Sequence, residues 1–343
     1  MKCNRVGRSN VQVTQIGFGG AQIGNLWTPV DDETVYATLR AAWDGGVRYF
    51  DTAPHYGLGL SERRLGAALR DKPRADFVIS TKVGRLLIEN PSPTGSDLES
   101  GGFAVPDDLT RRFDFSRDAI RRSLDASLER LGLDRVDIVY LHDPDDHMEQ
   151  ALREGVPALA QLRDQGVIGA IGAGMNFVAP LLRFVTEADV DLVMLAGRWT
   201  LADRTGAPLL AACDQRGVSV VAAAAYNSGL LAHPQPPDDS DFNYDRAPAD
   251  VLAFARALAD RCAAAGATLP QAALQFPLQH PAVPSVVIGM RTAAQVRANL
   301  AWAADPLPTS TWEALAALDA VRPPILRDAH VASPIVMRSR SGE

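Results

Sequence analysis

Four polar side chains of this chain stand where short apolar runs end. The segment "FDTAPHYG", residues 50–57, closes one run with Asp51 and carries Tyr56 five residues further on. "VISTK" delivers Lys82 at the end of the next run, and "DIVYLH" delivers His142 at the end of another. An acid, a phenol, an amine and an imidazole on one rim suit proton transfer. A phenol of pKa about 10 is a poor acid or base at neutral pH, but a nearby ammonium stabilises its phenolate. Lys82 would do this for Tyr56, and Asp51 would keep Lys82 charged and oriented. His142 would donate a hydrogen bond to a carbonyl or hydroxyl oxygen of the substrate. Such a set predicts carbonyl reduction or alcohol oxidation, with the hydride carried by a separate cofactor.

The four residues meet only if the runs that carry them are neighbouring strands pointing the same way. The chain alternates β-branched runs with amphipathic stretches, the pattern of repeated βα units around a parallel sheet. Eight units can be counted, with strands expected at 15–18, 48–51, 77–82, 136–142, 168–172, 192–195, 219–223 and 286–288. The fold class is α/β, a (β/α)8 TIM barrel, whose strand C-termini and following loops form one reactive face. Two helices are clear. "DETVYATLRAAWDGG" puts Val35, Leu39, Ala42 and Trp43 on one face with Gly45 as the stop. "SRDAIRRSLDASLERLGL" has Ser116 as N-cap and a stripe of Ile120, Leu124, Leu128 and Leu131.

An N-terminal hairpin turning near Ser9 and Asn10 would plug the far mouth of the barrel. Extra C-terminal helices are expected at 249–265 and 310–320. Residues 86–115 and 232–248, rich in Pro, Gly and Asp, break the rhythm as long irregular loops of the kind used as lids. One domain is expected to span residues 1–343.

Composition narrows the function classes. The 343 residues are 47% hydrophobic and 22% charged, enough to bury a large core, and a formal net charge of −7 argues against nucleic acid as a partner. Cys3, Cys213 and Cys262 are odd in number and widely spaced, which fits a reducing cytoplasm better than a disulfide framework. No run reaches the roughly 18 apolar residues of a membrane span. His142 with Asp143, Asp145, Asp146 and His147 carries metal-type side chains, but acidic runs after a strand are usually solvated turns, so no metal is expected.

"GFGGAQIG", residues 17–24, lacks the third glycine of a dinucleotide fingerprint, because Gln22 stands in its place and no helix follows at once. A Rossmann reading fails there. Its glycines, Gly20 among them, instead let a strand end bend close to a ligand.

These motifs, "GFGG", "FDTAPHYG…SE", "ISTKVG", "RSLDASLERLGLDRVDIVYLHDPD" and "VIGMRTAAQVRAN", together resemble the aldo-keto reductases from near the N-terminus to about Leu300. The resemblance implies a TIM barrel, a catalytic tetrad of Asp51, Tyr56, Lys82 and His142, and NAD or NADP bound extended. It places Asn176 at the carboxamide, Asn227, Ser228, Gly229 and Leu230 in the pyrophosphate loop, and Gln295 and Asn299 on the adenine side. Trp27, His55 and Trp199 become pocket-wall candidates.

Several positions depart from the family. Met175 replaces the usual serine, Ala196 the usual glutamine, and Ala223 the aromatic that stacks on the nicotinamide. Gly289 stands where NADP-preferring members often carry lysine, while Arg291 could still meet a 2′-phosphate. Cofactor choice therefore leans to NAD. "RRFDFS", "LHDPDDH" and "YNSGLL" resemble the bacterial branch that oxidises L-fucose or D-threo-aldoses at C1, with pyridoxal 4-dehydrogenases close by. Alternatives are an enzyme for pyridoxal or general aldehydes, and a cofactor-sensing regulatory subunit with little turnover.

Overall fold

Strand sequences alternate, and the alternation decides what the barrel holds. In Tyr49–Asp51, Val78–Val83 and Ile138–His142 every second side chain faces the lumen. Tyr49, Ile138 and Tyr140 pack there with Ala170, Leu192, Met194, Val221 and Val287. The intervening residues, Phe50, Ile79, Val83, Val139 and Leu141, face outward into the larger core beneath the helices. The same two-residue period that fills the lumen with apolar side chains brings Asp51, Lys82 and His142 to its upper end.

The computed structural model describes residues 1–327; residues 328–343, the end of the expected domain, lie outside the described residues. Eight parallel strands close into a barrel: Ile16–Gly19, Tyr49–Asp51, Val78–Val83, Ile138–His142, Ala170–Met175, Leu192–Ala196, Ser219–Ala223 and Ser285–Gly289. Each pairs with its neighbours in sequence, and the eighth pairs with the first through Gly289 and Gly19. All eight lie at the expected places. The fifth runs to Met175 rather than 172, because Gly172 and Gly174 carry no side chains to mark the alternation.

Cys3–Arg5 pairs with Gln12–Thr14 as a hairpin. Its Val6 and Val13 pack against Tyr49 and Tyr140, so the hairpin floors the lumen. Asp31, not foreseen as a cap, accepts from the Thr34 amide and opens the helix Asp32–Asp44. That helix ends at Gly45 with an ordinary φ of −77°, and the left-handed residue of the stop is Gly46. Ser116 accepts from the Ala119 amide and caps Arg117–Leu131, as its position predicts. Helices Ala249–Ala264 and Thr309–Ala316 fall at the expected extra positions.

The two long loops are more regular than their composition suggests. Arg85–Glu89 and Leu109–Phe113 form an antiparallel ribbon after the third barrel strand, with a short helical turn Leu98–Gly101 between them. A two-residue ribbon, Asp241–Phe242 with Asp245–Arg246, follows the seventh. Proline, glycine and aspartate mark the turns and hide the short paired runs.

Candidate active site

At the upper end of the lumen, Lys82 Nζ donates to Asp51 Oδ2 at 2.7 Å and to the Thr52 carbonyl at 3.0 Å. The other Asp51 oxygen accepts from Ser80 Oγ at 2.7 Å. Lys82 Nζ also lies 4.7 Å from the centroid of the Tyr56 ring. The Tyr56 and His142 rings meet edge to face at 5.9 Å. The structure thus brings all four tetrad candidates together.

Burial governs their proton affinities. Loss of water pushes the Tyr56 phenol up to about 12, with Lys82 pulling against that rise. The expected depression of this phenol does not occur, because desolvation of a phenolate outweighs one ammonium already shared with Asp51. Burial also disfavours the Lys82 ammonium, but Asp51 and Tyr56 outweigh it and hold the amine above its usual value. His142 is kept well below the usual imidazole range by burial and by the charges of Arg85 and Lys82. It is a neutral imidazole, suited to donating one hydrogen bond.

These residues line one end of a cavity of about 610 Å³. From the tetrad it runs past Asn176, Ala196, Ala223 and Asn227–Gly229 to Gly289, Arg291 and Gln295. Small residues leave its length clear, and the turn at Asn227 and Ser228, with φ of 45° and 59°, curves its backbone around the middle. Such a shape, long and lined through its middle by small residues, fits an extended dinucleotide. Gly20 lines the same wall for a reason of its own. A Cβ there would lie 2.6 Å from Ser61 Oγ and 2.7 Å from the Asp51 carbonyl, so the close approach is to the protein itself.

Other expected residues take different places. Leu230 is buried in the apolar cluster under helix Ala249–Ala264. The Asn227 side chain joins Thr200 Oγ1 at 2.6 Å and the Gly197 carbonyl at 3.0 Å, tying two loops together. Asn299 is buried behind Gln295, accepting from the Tyr226 hydroxyl. Arg291 donates to Gln22 Oε1 and to the carbonyls of Leu26, Thr28 and Pro29, so its guanidinium holds the loop after the first strand. Trp199 does not reach the cavity. It packs against Phe276, His280 and Arg204, because the chain after the sixth strand turns it toward the outer helices.

The substrate end is walled by three loops. Trp27, left-handed at φ 63°, faces Tyr244 with centroids 6.5 Å apart, and its amide donates to Gly102 O at 2.8 Å. His55 lies between Phe103 and His142, at 5.2 and 5.6 Å. Arg85, Phe103, Asp143, Asp145 and Tyr244 also line this end and were not foreseen. Only Asp143 and Asp145, in the run just after His142, carried a usable signal; Arg85, Phe103 and Tyr244 come from the paired loops. Arg85 forms an ion pair with Asp143, whose carboxyl is nevertheless raised by burial. Among the described residues no three His, Cys, Asp or Glu side chains are grouped to hold a metal ion. No described helix is long and apolar enough to cross a membrane.

An acid, amine, phenol and imidazole at the C-terminal rim of a closed barrel, beside a long cavity, find their counterpart in one group of enzymes. Residues 15–320 match the aldo/keto reductase family. The chain belongs to that family. It is an NAD(P)-dependent oxidoreductase by membership.

This aldo-keto reductase is 46% identical over 312 residues to D-threo-aldose 1-dehydrogenase of a Pseudomonas species, covering 90% of this chain and 94% of that one. It is 38% identical over 330 residues to pyridoxal 4-dehydrogenase of Microbacterium luteolum, covering 90% and 95%. Among solved structures it resembles the holo form of an aldo-keto reductase from Bacillus halodurans, with TM-score 0.77 and 24% identity over 96% of this chain and 99% of that one.

Proposed function

We propose that this aldo-keto reductase oxidises an aldose of the D-threo or L-fucose type at C1, giving the lactone. The observation that carries the reading is the tetrad opening onto a pocket walled by His55, Arg85, Asp143, Asp145 and Asp241. A wall of donors and acceptors suits a substrate with a hydroxyl on nearly every carbon. The relative at 46% identity acts on such sugars by its name, which supports the assignment.

In this mechanism Tyr56, as phenolate, accepts the proton of the C1 hydroxyl. Lys82 stabilises that phenolate, and Asp51, held by Ser80, keeps Lys82 aimed at it. His142 donates to the reacting oxygen and orients C1. When bound, the oxidised nicotinamide would supply the hydride acceptor. In the reverse direction Tyr56 acts as the acid.

Asn176, the Asn227–Gly229 turn and Gln295 are the residues that would hold the dinucleotide. We infer a preference for NAD. Gly289 supplies no charge for a 2′-phosphate, and Arg291 already has four acceptors within the protein. A cytoplasmic setting accords with three free cysteines, two of them buried.

The test is turnover of L-fucose, D-arabinose, L-galactose and pyridoxal with each cofactor. Oxidation of aldoses with little activity on pyridoxal supports the proposal. Preferred turnover of pyridoxal, or tight cofactor binding without turnover of any substrate, overturns it in favour of the corresponding alternative.

A further inference from the structure

The ribbon after the third strand carries a buried ion pair aimed at the substrate pocket. Arg111 and Asp97 face each other with both guanidinium nitrogens on both carboxylate oxygens, Nη2 to Oδ2 at 2.6 Å. The side chains are 10% and 2% exposed, so the pair is dry. The packing admits nothing else: a Cβ at Gly101 would lie 2.3 Å from Arg111 Nη1 and 2.4 Å from Asp97 Oδ2. From this fixed position Arg111 Nε donates to His55 Nδ1 at 2.7 Å, and Nη2 donates to the His55 carbonyl at 3.0 Å.

The direction of that bond decides the state of the histidine. Arginine has only donors and keeps its proton, so the nitrogen it faces must be bare. The ring is neutral, with its hydrogen on Nε2, the edge turned away from Arg111. His55 lines the cavity beside His142 and Tyr56. The charged groups around it, Arg111, Arg85 and Lys82, all oppose protonation, and burial does so more strongly.

We propose that Asp97 and Arg111 are positioning residues that lock His55 as a second hydrogen-bond donor to substrate, selecting compounds with an oxygen beside the reacting carbon. This rests on the aldose reading above. His142 serves the reacting oxygen, and His55 then takes the ring oxygen or the hydroxyl at C2. A plain alkyl aldehyde leaves the His55 N–H without a partner in a buried site, a loss that such sites discriminate against strongly. Neither Asp97 nor Arg111 touches the cavity, so their effect passes through the imidazole alone.

The test has two arms. Nitrogen NMR of the histidine rings should find His55 of the wild type as the neutral Nε2–H tautomer throughout pH 5–9. Arg111→Met should give it mixed tautomers, while burial and the charges of Arg85 and Lys82 still keep the ring neutral. In kinetics, the ratio of kcat/KM for an aldose to that for an alkyl aldehyde should fall roughly ten- to hundredfold in His55→Phe, the worth of one buried hydrogen bond. His55→Asn, which keeps a donor, should recover part of it. Arg111→Met should show the same loss mainly in KM for the sugar. The double variant Asp97→Asn, Arg111→Met leaves no unpaired charge and guards against misfolding. An unchanged ratio in His55→Phe, or a wild-type His55 that titrates normally, overturns the proposal. A wild type that turns over no aldose defeats the aldose reading instead, and the NMR arm still decides the tautomer.

Discussion

Arg291 donates to the Leu26 carbonyl oxygen at 2.9 Å, so a residue beside the adenine end of the cavity holds the loop that carries Trp27 at the substrate end. Its other partners, Gln22, Thr28 and Pro29, belong to the same loop. Arg291→Ala should therefore raise KM for the sugar, through a loosened Trp27, and change the ratio of NAD to NADP efficiency less than about threefold. Steady-state kinetics with both cofactors check this. A selective loss of NADP efficiency with the sugar KM intact would identify Arg291 as a 2′-phosphate clamp.

The high proton affinity of Tyr56 sets the pH dependence. With its phenol at about 12 in the free protein, oxidation draws on a small phenolate fraction that grows with pH. Aldose oxidation should therefore accelerate as pH rises from 7 to 10, by at most about tenfold per unit, whereas aldehyde reduction, which uses the protonated phenol, should stay flat. Tyr56→Phe should lower kcat about 10²–10⁴-fold in both directions. Initial rates across pH in the two directions are the measurement, and undiminished turnover in the variant would remove the tyrosine from the mechanism.

The barrel and its reactive rim were legible because they follow from local rules. Period-two strands ending in Asp51, Lys82 and His142 must converge once eight parallel strands close. What escaped the sequence depends on contacts far apart along the chain. Arg111 lies 56 residues from His55, and nothing in "LTRRF" says that one of its arginines turns inward. Trp199 looked like a wall residue from its height after a strand, but side-chain direction depends on how the loop turns. The rise of the Tyr56 pKa was missed for a related reason: charge partners are named in a motif, whereas burial is a property of the whole pocket.

The glutamate of "SERRLG" has a structural role. Glu62 is fully buried, accepting from Thr81 Oγ1 at 2.8 Å and from Arg130 Nε at 2.6 Å. It joins helices Leu60–Leu69 and Arg117–Leu131 to the third strand from the side opposite the lumen. Glu62→Ala leaves Arg130 without its partner and should cost about 3–5 kcal/mol. Chemical denaturation should detect that loss, while KM for both substrates of the folded variant should stay within about twofold of wild type.

Below Asp51 lies a chain of hydroxyls that reaches into the lumen. Ser80 Oγ donates to Asp51 at 2.7 Å; the Tyr49 hydroxyl stands 3.1 Å from Ser80 Oγ and 3.2 Å from the Tyr140 hydroxyl. Since Ser80 spends its one hydrogen on the carboxylate, Tyr49 must donate to Ser80 and Tyr140 to Tyr49. The Tyr49 and Tyr140 phenols are raised by burial and keep their protons, so the whole chain points its donors toward Asp51. Its effect is to hold that carboxylate aimed at Lys82. Ser80→Ala should then lower kcat for oxidation roughly ten- to hundredfold, the worth of a hydrogen bond to a charged group, with the sugar KM little changed. Because Asp51 would grip Lys82 less firmly, the rise of oxidation rate with pH should also move upward. Equal loss in kcat and gain in KM, with the pH profile unmoved, would show that Ser80 serves packing alone.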